Sequence, residues 1–118
     1  MSLDSEERPW GSWHVIDVNE GYKIKRIHVK PDSRLSLQTH EHRSEHWVVI
    51  QGEATCTVGD TTSVVAKGES IDVAQGAAHR IANLGKQELV IVEVQLGAYT
   101  GEDDIVRLED DYGRTRSN

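Results

Sequence analysis

Apolar and polar residues alternate in short runs along most of this chain, and a turn signal closes each run. The runs are His14–Val18, Tyr22–Val29, Leu35–His40, Trp47–Ile50, Ala54–Val58, Thr61–Ala66, Ser70–Val73, His79–Ala82 and Leu89–Leu96. Between them stand Asn19-Glu20-Gly21, Pro31-Asp32, Gln51-Gly52, Gly59-Asp60, Lys67-Gly68, Gln75-Gly76 and Asn83-Leu84-Gly85. Glycine, asparagine and aspartate there supply the left-handed positions that tight turns need. A period of two sends successive side chains to opposite faces of a strand. No segment before residue 100 carries the 3.6-residue period of a helix. About nine or ten short strands at this spacing predict an all-β sandwich or barrel.

The two ends read differently. Asp4–Arg8 is charged and reads as frayed. Arg8-Pro9-Trp10-Gly11-Ser12-Trp13 then brings two large aromatics to one end of the core. Gly101–Asn118 holds acids and arginines, with Ile105, Val106, Leu108 and Tyr112 as apolar anchors. Within it, Asp104–Tyr112 reads as a short helix or turn. The expected organisation is one domain over residues 1–118, with a core at about 8–100 and a tail at 101–118.

Composition narrows this picture. At 118 residues the chain can bury a core without staples. It has no Phe, so that core rests on Val, Ile and Leu. A single cysteine, Cys56, excludes an internal disulfide and fits a reducing, cytoplasmic setting. Cys56 lies in a predicted strand with no histidine at ligand spacing, so it reads as a small core residue. The net charge of −7 argues against a nucleic-acid surface, which needs clustered Lys and Arg. No apolar run reaches the length of a membrane span, and no secretory signal is visible. In so acidic a chain, an anion can be held only by locally placed Arg, Lys or backbone N–H groups.

The chemistry concentrates in QTHEHRSEHWVVIQG, residues 38–52. His40, Glu41, His42, Glu45 and His46 fall within seven residues, directly before the apolar run Trp47-Val48-Val49-Ile50 and Gly52. Imidazole nitrogens and carboxylate oxygens are ligand types for Zn²⁺, Fe²⁺ or Mn²⁺. A second stretch, Gly68-x₅-Ala74-x-Gly76-x₂-His79-x₃-Asn83, adds one more histidine after a tight turn. Together the two stretches resemble the paired motifs of the cupins. The resemblance implies a conserved double-stranded β-helix barrel, or jelly roll, with one divalent metal inside.

The family's first motif runs Gly, five residues, His-x-His, three or four residues, Glu, six residues, Gly. Taking His40 and His42 as its histidine pair would put the glutamate at position 46 or 47, which are His46 and Trp47. Moving the frame back by two places Gln38 and His40 first. Glu45 then follows after four residues and Gly52 after six more. The expected metal set is therefore Gln38, His40, Glu45 and His79. Asp32 falls where the motif has its first glycine, a turn position that Asp tolerates. Ala74 replaces the proline of the second motif. His14, His28 and His42 read as ordinary residues.

Glutamine in the first ligand place, followed by His-x-His-Arg-x-Glu-His-Trp, is more particular. It resembles the type II mannose-6-phosphate isomerases, often found as C-terminal domains behind a mannose-1-phosphate guanylyltransferase. Arg8-Pro9-Trp10-Gly11, Lys25-Arg26-Ile27, Leu35-Ser36-Leu37-Gln38 and Glu93-Val94-Gln95 extend the likeness. So do Gly101-Glu102-Asp103-Asp104-Ile105-Val106-Arg107 and Glu109-Asp110-x-Tyr112-Gly113-Arg114. Ala77 departs from the threonine usual in relatives. The glycine-rich signature of a nucleotidyltransferase is absent from these 118 residues.

The resemblance implies interconversion of mannose 6-phosphate and fructose 6-phosphate, with proton transfer between C1 and C2. The metal would be Zn²⁺, with Mn²⁺, Co²⁺ and Fe²⁺ as alternatives. Glu93 is the first candidate base, since it shares strand parity with Leu89, Ile91 and Gln95. His46 is the second, although the same parity turns it away from the ligands. Arg107 and Arg114 match the tail signature and are the expected phosphate anchors, with Lys25 and Arg43 behind them and Arg116 as plain tail. The alternative for those arginines is pairing with Glu102, Asp103, Asp104, Glu109 and Asp110. The expected assembly is a homodimer with a small-molecule sugar phosphate as ligand, and no nucleic acid or membrane partner. The competing functions are a non-catalytic sugar-phosphate or sugar-nucleotide binding cupin, an accessory partner of a guanylyltransferase, and an iron dioxygenase.

Overall fold

The computed structural model describes residues 4–112, which form twelve strands. These are β1 (Ser5–Arg8), β2 (Gly11–Asn19), β3 (Tyr22–Val29), β4 (Ser33–Arg34), β5 (Leu37–Thr39) and β6 (Arg43–Gln51). Then come β7 (Glu53–Val58), β8 (Thr61–Ala66), β9 (Ser70–Val73), β10 (His79–Asn83), β11 (Leu89–Gly97) and β12 (Val106–Glu109). One sheet runs β1-β2-β3-β11-β6-β9; the other runs β12-β5-β10-β7-β8, with β4 also paired to β10. Every pairing is antiparallel. This is the expected all-β jelly roll.

The pattern along the three central strands of the first sheet explains where the site lies. Inward residues of β11 are Leu89, Ile91, Glu93 and Gln95, all buried. Those of β6 are Val49, Trp47, Glu45 and Arg43, and those of β3 are Val29, Ile27, Lys25 and Lys23. Each strand is apolar at one end of its inner face and polar at the other. The antiparallel register aligns the like ends: Ile91 pairs with Ile27 and Val49, Glu93 with Lys25 and Trp47, Gln95 with Lys23 and Glu45. Half of the barrel interior is therefore a hydrocarbon core, joined by Trp13, Ala54, Cys56, Val65, Val73 and Ile81. The other half is a polar cavity. Cys56 is buried in the apolar half, and burial pushes its thiol up to about 11, out of reach of nucleophilic use.

Both chain ends differ from the expectation. Ser5–Arg8 is an edge strand paired with β2, not a frayed end. Asp104–Tyr112 holds no helix: Val106–Glu109 pairs with Leu37–Thr39 at the edge of the second sheet. An open strand edge offers N–H and C=O partners that a local helix-or-turn reading cannot see. The Asp32 turn follows the expectation, since Asp32 takes φ +58°, in the left-handed region where the motif has glycine.

Candidate metal centre

The polar half of the barrel is a cavity of about 90 Å³. Gln38, His40, Arg43, Glu45, His79, Glu93, Lys25 and Arg107 all line it. His40 Nε2 lies 3.3 Å from Glu45 Oε2, and His79 Nε2 lies 3.8 Å from Glu45 Oε1. Ligand atoms arranged tetrahedrally about 2.1 Å from a common ion are about 3.4 Å apart. The three donor groups, all buried, thus stand at metal-ligand spacing.

The hydrogen bonds behind these donors fix their orientation. His40 Nδ1 lies 2.5 Å from the carbonyl of Asp104, and His79 Nδ1 lies 3.0 Å from that of Ala77. A carbonyl only accepts, so each ring carries its proton on Nδ1 and leaves Nε2 as a lone-pair donor. Burial and the Arg43 cation push His40 down to about 4, and burial pushes His79 down as well. Both imidazoles are neutral at pH 7, as ligation requires. Trp47 Nε1 donates to Glu45 Oε1 at 2.9 Å and holds that carboxylate in place.

Arg43 supplies the balancing positive charge. Its Nε donates to Glu45 Oε2 at 2.8 Å and its Nη2 to His40 Nε2 at 3.1 Å. A cation therefore contacts two of the candidate ligand atoms. Gln38 sits directly across from His79 in the β5–β10 register. Its amide nitrogen donates to Ser36, leaving the amide oxygen as its ligand-type atom.

Glu93 faces this cluster from the neighbouring strand. It is buried, and Gln95 Nε2 donates to its Oε2 at 2.7 Å. Burial, then the Glu45 carboxylate, push Glu93 up to about 7, while Lys25 and Arg43 pull the other way. His46 is not brought to the cavity. It stands on the outer face of β6 with Nδ1 against Asp72 of β9. Arg107 lies opposite Gln38 in the β12–β5 register, with its Nε buried. Arg114 lies outside the described residues.

A family model for the mannose-6-phosphate isomerase C-terminal domain matches residues 4–110. The chain belongs to that family. It is 50% identical over 108 residues to the xanthan biosynthesis protein XanB of Xanthomonas campestris, and 51% identical over 108 residues to the alginate biosynthesis protein AlgA of Pseudomonas aeruginosa. Each alignment covers 92% of this chain. The mannose-1-phosphate guanylyltransferase ManC of Salmonella typhimurium is 49% identical over 107 residues. The chain spans only 22–23% of the length of these relatives. Among solved structures, an oxalate decarboxylase aligns with 89% of this chain at TM-score 0.78 and 22% identity, over 30% of its own length. CapF aligns with 91% at TM-score 0.77 and 20% identity, over 34% of its own length. The Schizosaccharomyces pombe Cnp3 cupin domain aligns with 73% of this chain at TM-score 0.70 and 17% identity, over 64% of its own length, and these likenesses show the cupin fold.

For this isomerase-family domain, sequence reasoning missed Arg8, Arg80 and the tail acid Glu102, which also line the cavity. Four tail acids, Glu102, Asp104, Glu109 and Asp111, find partners on the barrel. Asp104 accepts the backbone N–H groups of Glu41 and His42, both at 3.0 Å, and His42 Nδ1 lies 3.2 Å away. Burial pushes Asp104 up, but these donors outweigh it and hold the carboxyl below its ordinary value. Glu109 pairs with Arg80, and Asp111 with Arg34. The matching tail signature was the available signal, but spacing alone did not tie its acids to the 40–42 turn. Asp104→Ala is expected to weaken metal binding about tenfold by loosening the turn that carries His40, as read by Co²⁺ titration.

Proposed function

We propose that this chain is a metal-dependent aldose–ketose isomerase that interconverts mannose 6-phosphate and fructose 6-phosphate. The observation that carries the reading is the buried Glu93 carboxylate facing the His40–Glu45–His79 donor set across one cavity. The three donors, with the Gln38 amide oxygen, suit one divalent ion: Zn²⁺ first, with Mn²⁺, Co²⁺ and Fe²⁺ as alternatives. When bound, that ion supplies Lewis-acid polarisation of the C1 and C2 oxygens.

Glu93 takes the C2 proton of open-chain mannose 6-phosphate and returns it to C1. The C1 oxygen gains a proton as the C2 hydroxyl gives one up, so no electron or co-substrate enters or leaves. Gln95 orients Glu93 through its Nε2 donor, which presents the other carboxylate oxygen to the sugar. Lys25, Arg107 and Arg114 carry the positive charge for the phosphate, and Arg43 steadies the ligand carboxylate. A homodimer would cover the exposed strand edges of the two sheets.

Coupled conversion of mannose 6-phosphate tests the reading. Turnover is expected to vanish after chelation and to return when a divalent ion is restored. No turnover with any of the four metals would reject it. The share of the relatives that this chain spans favours one second reading, a sugar-phosphate binding domain serving a guanylyltransferase. Binding of mannose 6-phosphate without turnover would select that reading.

A further inference from the structure

Lys25, which lines the cavity, and its neighbour Lys23 share one counter-ion. Lys23 and Lys25 are alternate residues of β3, so both point inward. Glu102 meets Lys25 Nζ at 2.7 Å and Lys23 Nζ at 3.0 Å. Thr100 O takes a further bond from Lys23 at 2.6 Å. The lysine side chains are only 12% and 6% exposed, whereas Glu102 is 38% exposed. Buried ammonium groups need anionic partners, and this one comes from the connection between β11 and β12, outside either strand. Desolvation pushes Glu102 up, but the lysines outweigh it and hold its carboxyl below the ordinary value.

The cavity is also small for a sugar phosphate. Small-molecule pockets are typically about 300–1,000 Å³, against about 90 Å³ here. Some lining group must move for a ligand to enter. Glu102 lines the cavity and is half-exposed on a connecting segment, while His40, Glu45, His79 and Glu93 are held in the barrel interior. The distance also suits. Lys23, Gln95 and Glu45 lie side by side on three adjacent strands. Two strand spacings put Lys23 about 10 Å from Glu45 along the sheet. A six-carbon chain with its carbonyl end near Glu45 brings its far end to the lysines.

We propose that Lys23 and Lys25 form a phosphate-monoester site, and that the Glu102 carboxylate occupies it until the ligand's phosphate displaces it. This rests on the sugar-phosphate reading above and adds two residues to it, Lys23 as a phosphate contact and Glu102 as the resident anion. The displaced carboxylate swings to solvent, and the two ammonium groups exchange one anion for another of higher charge.

Calorimetric titration of the metal-loaded chain with inorganic phosphate tests the site without requiring turnover. Glu102→Gln keeps the side-chain volume and removes the competing charge, so phosphate is expected to bind about fivefold more tightly. Lys23→Met keeps the apolar stem and is expected to weaken phosphate binding about tenfold. Thermal melting of each variant establishes that it is folded. Unphosphorylated mannose is expected to respond to neither change. Unaltered phosphate affinity in either variant would overturn the proposal, including the case in which phosphate binds only at the metal. If the shifts appear but mannose 6-phosphate is never converted, the anion site stands and the isomerase reading falls.

Discussion

Replacing Glu93 by glutamine is expected to lower kcat for mannose 6-phosphate by about 10²–10⁴-fold, the range lost when a positioned general base is removed. The amide keeps the volume of the side chain and still accepts from Gln95 Nε2, so the barrel interior is undisturbed. It cannot take a proton. Metal content is expected to stay near wild type, because Glu93 faces the donor set without being one of its three clustered members. Stability is expected to hold or rise, since a carboxylate buried beside Glu45 is costly to keep charged. Loss of solvent-deuterium exchange at C2 with metal content unchanged is the signature to measure. The same assay on His46→Gln separates the two candidate bases. Full exchange in Glu93→Gln and none in His46→Gln would move the chemistry to the outer face of the sheet.

The strands were legible because period-two alternation and glycine-rich turns are local signals. Tyr22–Val29, Thr61–Ala66 and Ser70–Val73 have the observed bounds. Motif spacing also selected His40, Glu45 and His79 and passed over His42, and these are the three that converge. Turn chemistry carried Asp32: the position takes a positive φ, which favours glycine and which Asp tolerates. The failures share one cause. β1 and β12 are polar segments whose strand form comes from an edge supplied elsewhere in the chain. Asp104 and Glu102 read as tail acids, at most partners of the tail arginines, yet one caps the 40–42 turn and the other neutralises two largely buried lysines. Their partners are some 60 to 80 residues away in sequence. No periodicity or spacing rule reaches that far; only the folded register joins them.

That register also explains how a small barrel holds so many charges. Polar residues enter the inner face of each central strand only past its apolar half, so the charges meet each other and not the hydrocarbon. Glu45 bonds Trp47 and Arg43, Arg43 bonds His40, and Lys25 lies over Trp13 with Nζ 4.1 Å from the ring centroid. The arrangement supports function at a cost in stability, because buried ion pairs rarely outperform apolar residues of the same size. It also makes each pair fragile to the loss of one member.

Glu45→Ala is the substitution in which that fragility is largest. It removes a candidate ligand and strands the Arg43 guanidinium, whose side chain is 5% exposed beside a carboxylate at 2%. Breaking a buried pair from one side costs about 3–5 kcal/mol. In a domain of this size, melting in the presence of a chelator is expected to fall on the order of 10–20 °C. Working without metal isolates the buried charge from the further loss of ligand-linked stability. Arg43→Met combined with Glu45→Ala removes the stranded cation and is expected to recover most of that melting temperature, with no recovery of metal binding or turnover. The two readouts therefore part company: stability follows the pairing of Arg43, and metal binding follows the carboxylate. If Glu45→Ala without metal melts with wild type, Arg43 does not depend on Glu45, and the electrostatic account of this cavity fails.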